Sequence, residues 1–167
     1  MATASMKPSR EIEAFSLPAS TGQTLELDSF KGKVPLVLVF LSDVDSVEDR
    51  DLLEALNGRL AEFGAQRSQA LAIGRVTARR AREIADEINL KIALLADASG
   101  AMARDYEADD DDGQTRRVAV VADKEGFLKR RFDPLPIDGS AEEAVDALLE
   151  TVQAIGTGAL NPPDEED

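Results

Sequence analysis

Apolar positions in this chain switch between two periods. Val34–Leu41 (VPLVLVFL) is a nearly unbroken, largely β-branched apolar run, the pattern of a central strand buried on both faces. After it, Leu52, Leu53, Leu56, Leu60 and Phe63 recur at helical spacing. Ahead of them Ser46, Glu48, Asp49 and Asp51 suit a helix N-terminus, where hydroxyls and carboxylates satisfy the unpaired first-turn amides. Gly64 is placed to end that helix. Gln69–Gly74 predicts a second strand, and Thr77–Ile88 a helix with Ala81, Ile84, Ala85 and Ile88 on one side. This β-α-β-α order implies a parallel sheet.

Downstream the elements shorten. Ile92–Leu95 predicts a short edge strand and Ala98–Tyr106 a short helix. Arg117–Ala122 and Phe127–Phe132 predict two strands joined around Asp123-Lys124-Glu125-Gly126, a β-hairpin. Ser140–Ile155, with Ala144, Val145, Leu148, Leu149 and Val152 in register, predicts a closing helix capped near Asp138 to Ser140. Two stretches depart from globular composition: the four aspartates Asp109–Asp112 before Gly113, and the acidic segment Asn161–Asp167 with its two prolines. Charge repulsion and poor apolar content predict loops or disorder for both.

Composition narrows the chemistry more than the fold. At 167 residues the chain is sized for one domain. The expected division is a flexible N-terminus over 1–10, the domain over 11–156 and an acidic disordered tail over 157–167. No apolar run approaches the ~18 residues of a membrane span, and residues 1–10 carry no apolar core of a secretion signal, so a cytoplasmic location is the expectation. There is no Cys, His or Trp, which removes thiol catalysis, disulfides, Ser-His triads, Cys/His zinc sites, iron–sulfur clusters and His-ligated haem. With 33 acids against 19 Lys and Arg, the formal charge is −14, which favours neither nucleic acid nor an anionic membrane as partner.

Several segments taken in order resemble a known family. They are Phe15-Ser16-Leu17-Pro18, then Gly22-Gln23-Thr24-Leu25-Glu26-Leu27-Asp28-Ser29-Phe30-Lys31-Gly32-Lys33 leading into the strand Val34–Leu41. Farther on come Leu94-Leu95-Ala96-Asp97, Ala103-Arg104-Asp105-Tyr106 and Arg117-Val118-Ala119-Val120-Val121-Ala122-Asp123. Together, over about residues 11 to 156, they resemble the peroxiredoxin (AhpC/TSA) family. The resemblance implies a thioredoxin-like, peroxiredoxin-type α/β fold: three layers, with a central mixed sheet flanked by helices.

It also implies where the chemistry belongs. The family carries a cysteine in the first turn of the helix after the central strand, in a T-x-x-C motif. Helix-end amides and a nearby arginine stabilise its thiolate, which attacks the peroxide O–O bond to give a sulfenic acid. Carried over from Phe40 without gaps, that motif falls on Ser46-Val47-Glu48-Asp49. Ser46 stands at the threonine position, Asp49 at the cysteine position, and Arg117, with Arg116 as competitor, at the family's arginine. The nucleophile is missing, so a member lacking the peroxidatic cysteine is expected, with no catalytic residue.

Substitutes for it are poor. Ser46 has no histidine base anywhere in the chain. Met1, Met6 and Met102 are not near the motif, and once oxidised to the sulfoxide they would need a separate reductase to turn over. The acids Asp43, Asp45, Glu48 and Asp49 read either as hard ligands for Mg²⁺ or Ca²⁺ or as capping acids on a solvated loop, and the absence of EF-hand spacing favours the second. Asp109–Asp112 divides the same way. Arg117 reads either as an anion clamp or as the ion-pair partner of Asp49 or Glu48, and the cost of an unpaired, partly buried guanidinium favours the pair.

Three functional readings follow. The favoured one is a noncatalytic peroxiredoxin-like binding or interaction module without cofactor or metal, its partner a homodimer mate or another protein. The others are an oxidoreductase-related enzyme of cysteine-independent chemistry and a divalent-cation binder.

Overall fold

The computed structural model describes residues 11–135 and 141–156. A short antiparallel pair, β1 (Ser16–Pro18) and β2 (Thr24–Glu26), opens the fold. The main sheet contains β3 (Leu36–Phe40), β4 (Gln69–Gly74), β5 (Ala93–Ala96), β6 (Val118–Ala122) and β7 (Leu128–Phe132), in the spatial order β5-β4-β3-β6-β7. β3 is parallel to β4 and antiparallel to β6; β4 and β5 are parallel, β6 and β7 antiparallel. The sheet is therefore mixed, with the predicted two-sided strand at its centre.

Period-two alternation of β3 divides the core. Val37, Val39 and Leu41 face one cluster with α1 (Val47–Gly58), α3 (Ala78–Glu87) and α5 (Ala141–Gly156), through residues such as Leu53, Leu56, Ile84, Val145 and Leu148. Leu36, Leu38 and Phe40 face the other, with Phe15, Tyr106 and α4 (Ala101–Asp105). Every β3 residue is at most 2% exposed, so both helical layers draw on one strand for their hydrophobic contact. The three-layer α/β arrangement expected from the resemblance is the one observed.

A continuous helix through Phe63 ending at Gly64 is not. α1 stops at Gly58, and a separate α2 (Leu60–Ala65) runs through Gly64. Arg59 at the break leaves helical geometry (φ −117°, ψ 18°), and its N–H bonds Leu56 O three residues back, tightening the last turn. Its side chain pairs with Glu62 at 3.0 Å and with Glu142 and Asp146 of α5 at 3.3 and 2.5 Å. These tertiary ion pairs and the poor helical propensity of Gly58 account for the interruption.

The remaining differences are at boundaries. β5 is Ala93–Ala96 and not Ile92–Leu95. α4 is shorter than Ala98–Tyr106 because Gly100, at φ +79°, forms a turn ahead of it. Asp97, 1% exposed, caps that helix, its two oxygens accepting from Met102 N and Ala103 N at 3.0 Å each. Asp109–Asp112 is a loop closed by the Asp109–Thr115 bridge and by Asp110 Oδ1, which accepts from Asp112 N and Gln114 N at 2.9 Å each. The expected flexible N-terminus 1–10, the 138–140 cap and the tail 157–167 lie outside the described residues. No described helix is long and apolar enough to cross a membrane.

Candidate functional site

The loop between β3 and α1 spans 41–46, and its geometry is set by two side chains that turn inward. Ser46 takes the extended conformation of an N-cap; its Oγ accepts from Asp49 N at 3.1 Å and donates to Asp43 O at 2.9 Å. Those bonds close the first turn of α1 and satisfy an amide that the helix leaves unpaired.

Asp49 is 0% exposed. Its Oδ2 accepts from Ser42 Oγ at 3.0 Å and Asp43 N at 2.7 Å, and its Oδ1 accepts from Arg117 Nε at 2.7 Å. A buried carboxylate is tolerated only with a cation and further donors around it, and this one has both. Arg117 precedes β6, and its carbonyl accepts from Leu135 N at 2.8 Å. Its side chain is 22% exposed, so the guanidinium bridges the buried acid and the surface. The structure brings Ser46, Asp49 and Arg117 together. The competitor Arg116 points elsewhere, pairing with Asp133 and donating to the carbonyls of Glu107 and Asp109 at 2.7 and 3.2 Å.

On the outer side of the loop, Asp45 Oδ1 is held by Arg80 Nη2 at 2.6 Å and Arg50 Nη2 at 3.2 Å. The hydrogen bond from Arg80 holds the Asp45 carboxyl below its ordinary range, and the charge of Arg50 adds to this. Arg50 Nε also donates to Val44 O at 2.6 Å, and its Nη1 pairs with Glu87 at 3.2 Å. Val44 packs inward against Gly74, whose missing side chain leaves it room: a Cβ there would stand 2.6 Å from Val44 Cγ1.

The acids considered as metal ligands are thus directed to different partners. Asp49 goes to Arg117, Asp45 to Arg80, and Asp43 Oδ1 to the backbone N of Asp45 at 3.0 Å. Among the described residues no group of three carboxylates is arranged to hold a metal ion. The phenol of Tyr106 is no base either: burial pushes its ionisation far up, and its hydroxyl donates to Glu13 O.

Sequence reasoning missed Ser42, Arg50, Arg80 and the Gly74–Val44 contact. All four depend on what the fold places beside the loop. The run Arg79-Arg80 ahead of Glu83 and Glu87 was the available signal for a charged helix face, but it named no partner.

The profile described as the AhpC/TSA family matches residues 8–131. No curated protein matches the chain significantly. Among solved structures, the peroxidoxin BcpB of Mycobacterium tuberculosis is similar at 22% identity and a TM-score of 0.80, over 90% of this chain and 99% of that one. The reduced 2-Cys peroxiredoxin of Plasmodium vivax is similar at 20% identity and a TM-score of 0.76, over 91% and 98%. AhpC of Enterococcus faecalis is similar at 19% and 0.77, over 90% and 95%.

Proposed function

Because the chain belongs to the AhpC/TSA family and contains no cysteine, we propose that it is a peroxiredoxin-like domain in which Asp49 takes the reactive position and which works as a noncatalytic binding module. The observation that carries this reading is the 2.7 Å contact between Arg117 Nε and Asp49 Oδ1, with Asp49 fully buried. In the family an arginine supports a thiolate. Here the arginine is given to a carboxylate, a charge-assisted bond of the same sign pattern. Ser46, at the threonine position, serves as the helix cap.

The substitution conserves the electrostatics and removes the chemistry. Peroxide reduction needs an atom that attacks one peroxide oxygen, expels the other as water or alcohol, and is later reduced back. A carboxylate fixed by three donors has no such cycle, and the chain has no cysteine.

The partner in this reading is a second copy or another protein, in the cytoplasm, meeting the loop side of the domain. Val47, the residue after the Ser46 cap, is 72% exposed there. A net charge of −14 argues against nucleic acid as the partner.

The test is a peroxidase assay on the purified chain, with hydrogen peroxide and an alkyl hydroperoxide, and with dithiothreitol or a thioredoxin system as reductant. Consumption at the rate of the protein-free blank is expected; sustained turnover overturns the reading. Light scattering across a concentration series tests self-association.

A further inference from the structure

A groove of about 400 Å³ lies between α3 and the turn joining β1 to β2, away from the Asp49 loop. Its size suits a small molecule. Pro18 and Ala78 supply apolar surface, Gln23 and Thr24 supply polar groups, and Arg79 and Arg82 supply positive charge. The two arginines are three positions apart on α3 and so share a face of the helix.

The chain carries 33 acids for 19 cations, and Arg50, Arg59, Arg80, Arg116, Arg117 and Arg131 are each held by a carboxylate, whereas among the described residues Arg67, Arg75, Arg104 and Arg130 share with Arg82 the lack of one. Arg82 has no ion pair or hydrogen bond among the described residues. Its guanidinium lies over the β1–β2 turn, Nη1 being 3.5 Å from where a Cβ on Gly22 would stand. Arg79 pairs with Glu83 at 3.5 Å, and its side chain is 90% exposed. Glu83, the acid in the groove, is itself shared between Arg79 and Arg80. The groove therefore offers at least one full set of guanidinium donors with no internal acceptor.

We propose that this groove binds a small organic anion, its oxyanion head on Arg82 and Arg79 and its apolar body over Pro18 and Ala78. Guanidinium groups take phosphate and carboxylate heads in the same two-pronged manner, so both head groups fit the chemistry. The proposal is independent of what the Asp49 site does.

The experiment is a ¹⁵N-detected titration of the full chain with phenyl phosphate, benzoate and inorganic phosphate in separate arms. Saturable shifts of the Gly22, Gln23 and Thr24 amides and of the Arg82 Nε–H are expected with phenyl phosphate or benzoate, and which arm is tighter identifies the head group. Arg82→Ala is expected to weaken that binding by about tenfold or more, with Arg82→Gln as a second variant. Lys124→Ala, an exposed cation far along the chain, is expected to leave it unchanged. Shifts that stay linear with concentration, or binding by Arg82→Ala and Arg82→Gln as tight as that of the unaltered chain, overturn the proposal. Inorganic phosphate binding as tightly as phenyl phosphate overturns the apolar half of it.

Discussion

Arg117 Nε and Asp49 Oδ1 meet at 2.7 Å across 68 positions of sequence, tying the first turn of α1 to the start of β6. Removing one member of such a pair leaves the other charge desolvated. Arg117→Ala is therefore expected to cost about 3 kcal/mol. In the Asp49→Asn background, where the buried charge is gone, the same change is expected to cost less than about half of that. Urea unfolding of the four proteins in the cycle measures it. Additive losses would mean that the two side chains do not act as a unit.

Gly74→Ala reaches the same loop from below. The added methyl would stand 2.6 Å from Val44 Cγ1, closer than packed carbon atoms tolerate, and β4 cannot move without disturbing β3 and β5. A loss of about 1–3 kcal/mol is expected. Because the obstacle is one side chain, Val44→Ala in combination should recover part of it. Thermal unfolding of Gly74→Ala with and without Val44→Ala tests this, and no recovery in the pair would refute the contact as cause.

Acid should weaken the fold through Asp45 and Asp133. Burial raises the Asp133 carboxyl, but hydrogen bonds from Arg116 and Arg131 outweigh it, and the net position is below its ordinary 3.8. Asp45 is lowered from the same value, first by its hydrogen bond to Arg80. A carboxyl lowered in the folded state binds its proton more readily when unfolded. Its stabilisation is complete above the ordinary value and is lost as pH falls from there through the folded value. Urea midpoints should hold between about pH 7 and pH 5 and fall below about pH 4. Asp133→Asn should flatten that fall; an unchanged acid limb would exclude Asp133 as a contributor.

Asp49→Cys tests the placement of the reactive position. A thiol there would sit in the first turn of α1 with Arg117 Nε, Ser42 Oγ and Asp43 N directed at it, all favouring thiolate. Slow reaction with hydrogen peroxide is expected, trapped as a sulfenic acid by dimedone, and about tenfold slower when Arg117→Ala is added. The acids Asp43, Asp45 and Glu48 oppose the thiolate and keep the rate modest. A cysteine unreactive in both backgrounds would argue that position 49 is not the family's reactive one.

The strand at the centre was legible because Val34–Leu41 is apolar at consecutive positions, a pattern that only two-sided burial explains. The helices on either side were legible from their stripes. The break at Arg59 was not: Gly58 is a weak local signal, and the partners that hold Arg59, Glu142 and Asp146, lie 83 and 87 positions away. Asp97 showed a family motif and not a role; its two bonds to α4 appear only when Gly100 turns the chain back. A pairing of Arg117 with Asp49 or Glu48 was anticipated from the cost of an unpaired guanidinium, and the structure selects Asp49. The bond from Ser42 Oγ to Asp49 and the Gly74–Val44 fit were invisible, since neither serine nor glycine announces its neighbour.

The stretch after β1 has a bearing on how copies of this chain meet one another. Ala19 bridges to Leu95, Ser20 N donates to Leu94 O at 2.9 Å, and Leu94 N donates to Ser20 Oγ at 3.0 Å. One margin of the five-stranded sheet is thereby occupied by its own chain. At the other margin, β7, the residues Lys129, Arg130 and Arg131 follow one another, with Arg130 exposed over the Phe132 ring at 5.1 Å. Lys129 and Arg131 are paired with Asp123 and Asp133, so Arg130 is the cation this strand presents outward, and a charged side chain on an edge strand blunts strand-on-strand accretion. One rim of the sheet is covered by its own chain and the other carries an exposed guanidinium, two features that oppose fibrous growth along the sheet.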